Sequence, residues 1–244
     1  MINIKTLATG SSGNCFILSK QGSRKDLMVE CGIPIRKILS GIGYNLGKIS
    51  ACLVTHEHSD HARAADALMT YGITVVASPG TLMSLGITQG RLYAQALNPR
   101  TPLAIDGRWR VVGFPAIHDT AQPYMYLIQN GEDILLFATD TEYIPYQFGG
   151  LTQMMVEANY DLDIMKNRII DGSVHSARKK RTMDTHMEIG TLEAWLRDLN
   201  RDGSLNKLRE IRLIHTSAAN RDPEAFRKRL EMVTGLPVYV EGGK

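Results

Sequence analysis

Three histidines and two carboxylates lie within six consecutive residues of this chain, in the run "HEHSDH" from His56 to His61. The whole chain has 7 histidines, so this run holds almost half of them. Imidazole and carboxylate groups bind zinc, iron and manganese, and their mixture favours a hydrolytic pair of divalent ions over a purely structural zinc site. The fourth residue after His56 is Asp60, which excludes the zincin motif, because that motif needs two histidines four residues apart. We name residues 56–61 the histidine turn.

Two ions need more ligands than one turn can offer, and ligand-type residues end three other apolar runs. His118 ends "WRVVGFPAIH", Asp140 ends "DILLFATD" and His215 ends "LREIRLIH". A rigid strand can deliver such a side chain to a site. The residues therefore predict two divalent ions, an aspartate able to bridge them and open positions for water. The seven predicted ligands are His56, His58, Asp60, His61, His118, Asp140 and His215.

The elements that must position these residues are short. Apolar, β-branched runs between glycines predict strands in two blocks, each followed by helices, as in two packed sheets flanked by helices. A helix is predicted from near Asp60 to Gly72, and another begins at Asp222 as N-cap with Pro223 in the first turn. The charged residues 166–182 are predicted to be a surface loop or a basic lid. With 244 residues we expect a single domain, 1–244.

Composition limits the partners and the compartment. A net charge of +3 and a sequence pI near 8.7 permit a polyanionic partner without requiring one. The three cysteines form no Cys-x-x-Cys pair, and we expect buried thiols in a reducing cytoplasm. The first residues lack a basic stretch followed by an apolar run, so we expect no signal peptide. No apolar run reaches the roughly 18 residues of a membrane helix, so no membrane partner is expected.

Three motifs show a resemblance to a known family. "THEHSDH", the histidine in "AIHDTAQPYMY" and the aspartate in "FATDT" resemble the signature of the metallo-β-lactamase superfamily. The resemblance implies an α/β fold, a four-layer αββα sandwich. It also implies that His56, His58 and His118 bind one ion, that Asp60, His61 and His215 bind the other, and that Asp140 lies between them. The ions are expected to be zinc or manganese, with iron as a further option.

Further motifs narrow the branch of the superfamily. "LATGSSGNCFIL", "VEANYD" and "LIHTSAANRD" resemble the YycJ/VicX-like branch, which is associated with 5′-to-3′ exonuclease action on DNA. The chain departs from the family pattern at three positions. Glu30 stands where the superfamily usually has a supporting aspartate, Tyr160 stands where the branch has histidine, and Glu188 replaces a serine two residues after His186.

The resemblance and the residue chemistry together predict roles. Two divalent ions about 3.5–4 Å apart lower the pKa of a bridging water and orient it towards a phosphorus atom. Asp60 and Asp140 are the predicted catalytic carboxylates, and His186 is predicted to donate a proton to the leaving 3′-oxygen, with His175 as a weaker candidate. Two other segments are predicted to bind substrate phosphates. These are the basic run Arg178, Lys179, Lys180 and Arg181, and the loop residues Ser11, Ser12 and Asn14.

Nucleic acid, with DNA preferred, is therefore the predicted partner, and a nuclease the predicted activity. A glyoxalase-type thioester hydrolase is the alternative enzyme, because it uses the same ligands. A nucleic-acid binding protein whose metals only stabilise the fold is the alternative outside enzymes. The residues do not choose between DNA and RNA or between exonuclease and endonuclease action, and they leave the metal and the oligomeric state open.

Overall fold

The computed structural model describes residues 1–88, 90–170, 176–217 and 219–242, with the backbone alone at 169, 170 and 176–179. The protein is an α/β structure with two mixed sheets. It divides into two compact units. Unit 1 comprises Met1–Pro115 and Thr120–Ile134, and unit 2 comprises Ala116–Asp119 and Leu135–Lys244. Among the described residues, none of the helices is long and apolar enough to cross a bilayer.

Unit 1 contains a six-stranded sheet whose strand order follows the chain. The first three strands pair antiparallel and the next three continue in parallel. The strands are β1 (Asn3–Ala8), β2 (Cys15–Ser19), β3 (Asp26–Val29), β4 (Ile49–Leu53), β5 (Thr74–Ala77) and β6 (Ala94–Ala96). Three further antiparallel strands are β7 (Pro102–Ile105), β8 (Trp109–Pro115) and β9 (Tyr124–Asn130). The helices are α1 (Ile35–Gly41), α2 (Ser59–Ala62), α3 (Ala65–Thr70) and α4 (Pro79–Ser84), with a 3₁₀ turn at Leu46–Lys48.

Unit 2 is built on four parallel strands, and the first three of them are mostly buried, as is usual in parallel sheets. The strands are β10 (Asp133–Ala138), β11 (Gln153–Glu157), β12 (Glu210–Ile214) and β13 (Val238–Val240). The first two residues of β10 belong to unit 1, and unit 2 continues from Leu135. All five residues of β11 are buried. The helices are α5 (Leu162–Ile170), α6 (Ser176–Thr185), α7 (Ile189–Arg201) and α8 (Pro223–Thr234).

The cap predicted for the last helix is confirmed. Asp222 precedes α8, and its carboxylate accepts hydrogen bonds from the backbone N–H groups of Glu224 and Ala225. Pro223 occupies the first turn, where its missing N–H costs nothing. Gly235 ends the helix with a φ of 70°, a left-handed conformation that glycine adopts without strain.

The predicted helix from Asp60 to Gly72 is instead two helices, α2 and α3. A continuous helix would use the carbonyls of Asp60 and His61 as acceptors for amides four residues later. Here the Asp60 carbonyl accepts from the backbone N–H of Asn14 at 2.8 Å, and the His61 carbonyl accepts from Cys31 at 2.8 Å. The Ala64 N–H in turn donates to Cys31 at 2.9 Å. These long-range bonds replace the helical ones and break the helix after Ala62.

The loop predicted over residues 166–182 is also wrong for the part that the structure describes. Helix α5 runs to Ile170 and helix α6 begins at Ser176, so helix occupies both ends of that range. Glycine and proline are absent from the residues of both helices, and lysine and arginine are good helix formers even without an apolar stripe. The high content of charged residues in this segment is therefore typical of an exposed helix and does not indicate a loop.

Candidate metal centre

The histidine turn follows β4 in unit 1 and brings its side chains together. Nε2 of His56 lies 3.1 Å from Nδ1 of His58, and the rings of His56 and His61 have centroids 4.1 Å apart. Nε2 of His61 lies 3.5 Å from Oδ2 of Asp60. His56 and His61 are buried, whereas His58 and Asp60 are partly exposed. Imidazole nitrogens and a carboxylate that converge in this way form a donor set suited to a divalent ion.

Glu30 lies behind the histidine turn and is fully buried. Its Oε1 accepts a hydrogen bond from the backbone N–H of Thr55 at 3.3 Å and lies 3.6 Å from Nδ1 of His61. A carboxylate beside the far nitrogen of an imidazole directs the other nitrogen towards a metal. The contact agrees with the predicted supporting position of Glu30, and it shows that the longer glutamate reaches the histidine ring.

Glu57 belongs to the histidine turn but is not among the predicted ligands. Its Oε1 accepts a hydrogen bond from the backbone N–H of Ala121 at 2.8 Å. Within unit 1 this bond ties the histidine turn to residues 120–124. The same segment bonds back to the strand before the turn, because the N–H of Tyr124 donates to the carbonyl of Thr55 at 3.0 Å.

The loop "GSSGN" divides into exposed and buried residues. Ser11 and Ser12 are exposed, as a contact with substrate would require. Asn14 is 1% exposed, and its side chain bonds to Gly10 and to the backbone of Asp60. Its amide therefore faces the histidine turn and has no surface to offer a substrate, contrary to the predicted phosphate contact.

Unit 2 gathers a second cluster at the ends of three neighbouring parallel strands. Asp140 lies just beyond β10, Glu157 ends β11, and His215 directly follows β12. Together with His186 these residues offer one ligand atom each, and the four atoms lie within 4.8 Å of one another. Ligands commonly bind at the carboxyl ends of parallel strands, because such strands deliver their last residues to one edge. Asp140 and His215 have φ angles of 48° and 51°, a strained conformation that is typical of functional positions.

Glu157 is the residue of this cluster that the sequence reasoning missed. Its Oε1 lies 2.7 Å from Nδ1 of His186 and 2.9 Å from Nδ1 of His215. It also accepts a bond from the side-chain amide of Asn159 at 3.0 Å. The available signal was the same as for Asp140, namely a carboxylate at the end of the apolar run "QMMVE".

The buried Glu157 carboxylate and the partly exposed His186 ring form an ion pair. Burial lowers the pKa of His186, but the charge of Glu157 and its hydrogen bond outweigh this effect and raise the pKa above its ordinary value. Burial likewise raises the pKa of Glu157, but the charge of His186 and the hydrogen bonds from His186 and His215 together outweigh it and lower the pKa. The pair therefore holds a proton on His186 at Nδ1, with the carboxylate ionised.

His118 is oriented by the last residue of α6. Its Nδ1 lies 2.9 Å from the backbone carbonyl of Thr185, which can only accept, so Nδ1 carries the proton. Its Nε2 lies 4.0 Å from Oδ1 of Asp140 and 3.5 Å from Oδ1 of Asp119. Burial lowers the pKa of His118 and so favours the neutral ring, the form that binds metal.

Two departures from the family pattern lie opposite each other. Tyr160 and Glu188 form an isolated parallel β-bridge, and the N–H of Ile189 donates to the carbonyl of Tyr160 at 3.0 Å. The carboxylate of Glu188 accepts bonds from the N–H groups of Gly190 at 2.6 Å and Thr191 at 3.0 Å. Glu188 therefore caps α7, which is also what a serine can do at this position.

The basic run lies on α6. Lys180 and Arg181 are exposed, and Nε of Arg181 donates to Oδ2 of Asp119 at 3.1 Å. Arg178 and Lys179 are in the same helix, but their side chains lie outside the described residues. The same holds for the whole of His175.

Comparisons with known proteins agree with this architecture. A family model described as a beta-lactamase superfamily domain matches residues 35–205. The exodeoxyribonuclease WalJ of Streptococcus pneumoniae is 28% identical over 234 residues, covering 88% of this chain and 81% of that protein. The exodeoxyribonuclease YycJ of Bacillus anthracis is 26% identical over 175 residues, covering 68% and 66%. The metallo-β-lactamase fold protein YhfI of Bacillus subtilis is similar in structure, with a TM-score of 0.71, 16% identity and coverage of 98% and 96%. The predicted fold class is therefore confirmed.

Proposed function

We propose that this chain, which belongs to the beta-lactamase superfamily, is a metal-dependent hydrolase that removes nucleotides from the 5′ ends of DNA. The convergence of imidazole and carboxylate groups at the ends of β10, β11 and β12 carries the proposal of a hydrolytic centre. The similarity to two exodeoxyribonucleases, one of them over 88% of this chain, supports DNA as the substrate.

The ligands of two divalent ions are proposed to come from both clusters. His56, His58 and His118 would bind one ion, Asp60, His61 and His215 the other, and Asp140 both. The donor chemistry fits, because nitrogen and carboxylate ligands together suit zinc, manganese and iron. When bound, such ions lower the pKa of a shared water and offset negative charge on a phosphate.

The protein's own groups would manage the protons. His186 holds a proton through its bond to Glu157 and is proposed to donate a proton to the leaving 3′-oxygen. Asp60, partly exposed in the histidine turn, is proposed to accept the proton that the attacking water loses. Since Glu157 keeps its charge next to His186, the ring can recover a proton after each cycle.

Two segments are proposed to bind DNA phosphates, namely helix α6 and the exposed serines Ser11 and Ser12. Lys180 is exposed and offers a charge to a phosphate, and Arg178, Lys179 and Arg181 are proposed to add to it. Arg181 would have to exchange its bond to Asp119 for a phosphate, which surface ion pairs do at little cost. Ser11 and Ser12 are proposed to contact a phosphate near the metal ions.

The test is a cleavage assay with several substrates. The purified protein is incubated with Mn²⁺ or Zn²⁺ and with 5′-phosphorylated duplex DNA, single-stranded DNA, RNA or a thioester. We expect nucleotides to be released from DNA, and we expect His58→Ala and Asp140→Ala to abolish the release. Asp198→Ala is the matched control, because Asp198 is a surface aspartate of α7 with 62% of its side chain exposed.

Other outcomes would contradict the proposal. Thioester cleavage with intact DNA would favour the glyoxalase-type alternative. Tight DNA binding without cleavage at any metal concentration would favour a binding protein that uses metal for stability. DNA cleavage that survives both substitutions would point to a contaminating nuclease.

A further inference from the structure

Asn14 is a buried side chain that contacts the histidine turn without belonging to it. Its amide nitrogen donates to the backbone carbonyl of Asp60 at 3.2 Å and lies 3.4 Å from Nε2 of His61. Its amide oxygen accepts a bond from the N–H of Gly10 at 2.9 Å. Asn14 and Asp60 are 46 residues apart in sequence, so this contact belongs to the tertiary structure.

The hydrogen bonds determine which way the amide points. If the amide turned over, its oxygen would face the carbonyl of Asp60 and its nitrogen would face the N–H of Gly10. One contact would then join two acceptors and the other two donors. Neither is a hydrogen bond, and leaving buried polar groups unsatisfied costs free energy. The amide nitrogen of Asn14 is therefore held on the carbonyl of Asp60, and this places the side chain beside the His61 ring.

The backbone around Asn14 holds the same two residues. The Asp60 carbonyl accepts from both the backbone N–H and the side chain of Asn14, at 2.8 and 3.2 Å. Gly32 packs so closely on this carbonyl that a Cβ there would lie 1.6 Å from the oxygen. Gly32 in turn donates to the carbonyl of Asn14 at 2.9 Å. The Asp60 carbonyl thus accepts hydrogen bonds from Asn14 and not from an amide of the helix, so α2 ends after one turn.

We propose that Asn14 is a positioning residue that holds Asp60 and His61 in the conformation in which they bind one of the two ions. The proposal rests on the two-ion function given above. Asn14 acts on the ion of Asp60 and His61, because its side chain bonds to the backbone of the first and lies beside the ring of the second. His56, a proposed ligand of the other ion, has a different polar contact, since its Nδ1 lies 2.9 Å from the hydroxyl of Thr55. We therefore expect the substitution of Asn14 to weaken mainly the ion of Asp60 and His61.

The test is a Co²⁺ titration of the metal-free protein, followed by visible absorption, in Asn14→Ala. Changes to groups that orient metal ligands typically weaken metal binding about 10–100-fold. We expect one of two binding steps to weaken by that factor, with an altered spectrum for that ion, while the other step is unchanged. Asn3→Ala is the matched control, because Asn3 is an exposed asparagine of unit 1 whose side chain bonds to Ser19 at 3.3 Å.

A second variant keeps the test decisive if Asn14→Ala does not fold. Asn14→Ser retains a short donor, and we expect its loss of affinity to lie between those of the wild type and the alanine variant. Thermal unfolding of the metal-free variants is measured in parallel. A lower melting temperature with both Co²⁺ steps unchanged would overturn the proposal, because Asn14 would then only stabilise the loop. Equal weakening of both steps would also overturn it.

Failure of the proposed function gives a different result. A wild-type protein that binds fewer than two Co²⁺ ions refutes the two-ion function before any variant is compared. A wild-type protein that binds two ions and cleaves DNA, with an Asn14→Ala variant that binds both ions normally, refutes only the role of Asn14.

Discussion

Replacing Glu157 with glutamine tests how the unit 2 cluster is organised. Glutamine has the same shape as glutamate but no charge, and one of its two polar atoms is a donor. In the wild type, Oε1 of Glu157 holds the Nδ1 protons of His186 and His215 at 2.7 and 2.9 Å. With the proton on Nδ1, the lone pair of His215 lies on Nε2, which is the atom proposed to bind metal. A glutamine nitrogen at the same place would favour the proton on Nε2 of His215, which is the wrong tautomer for a ligand.

The size of the effect follows from the bonds that are lost. A hydrogen bond to a charged group contributes about 1.5–3 kcal/mol, and Glu157 is fully buried. Losing the bond to His215 should cost nearly that free energy. Losing the bond to His186 should cost less, because His186 can release its proton and become neutral. We expect the metal-free protein to lose roughly 2–4 kcal/mol of unfolding free energy. We also expect metal affinity to fall about 10–100-fold, or about 1.4–2.7 kcal/mol.

Urea unfolding of the metal-free protein measures the stability, and a metal titration measures the affinity. Glu210→Gln is the matched control. Glu210 is a buried glutamate at the start of β12, and its Oε1 accepts a bond from the side chain of Gln153 at 2.9 Å. We expect the control to lose stability but to keep its metal affinity. If Glu157→Gln kept its affinity within a factor of two, the orientation of His215 by Glu157 would be refuted.

Three further predictions concern other parts of the chain. Gly32→Ala would place a Cβ 1.6 Å from the Asp60 carbonyl, so we expect a loss of about 3 kcal/mol in urea unfolding, whereas Gly149→Ala, with open space around it, should be near neutral. Burial raises the pKa of Asp133, but its bonds to Lys20 and the terminal ammonium have the larger effect, so the pKa lies below its ordinary value. Its contribution to stability is therefore present above the unfolded pKa near 3.9 and is lost as pH falls through the lowered folded pKa, a loss that melting curves of Asp133→Asn should not show. Lys180→Ala should reduce the salt dependence of DNA binding by up to about 0.9 in the slope of log K against log salt, and an unchanged slope would remove Lys180 from the interface.

The sequence was sufficient wherever the signal was local. The types and spacing of His56, His58, Asp60 and His61 predicted a cluster of metal-ligand side chains, and the structure brings these side chains together. The N-cap at Asp222 was predictable for the same reason, since a cap involves only neighbouring residues. The ends of apolar runs also indicated Asp140 and His215, and the α/β fold class followed from the order of the runs.

Contacts between distant parts of the chain were decided by the tertiary structure. Asn14 and Cys31 break the predicted helix by taking the carbonyls of Asp60 and His61, and no local pattern records those partners. Glu157 became a candidate site residue only in the folded structure, where β11 places it beside His186 and His215. A side chain's type limits what it can bind, but its partners depend on which strands and loops lie next to it. The types of the candidate ligands were therefore predictable from the sequence, whereas the hydrogen bonds that orient them depend on the tertiary structure.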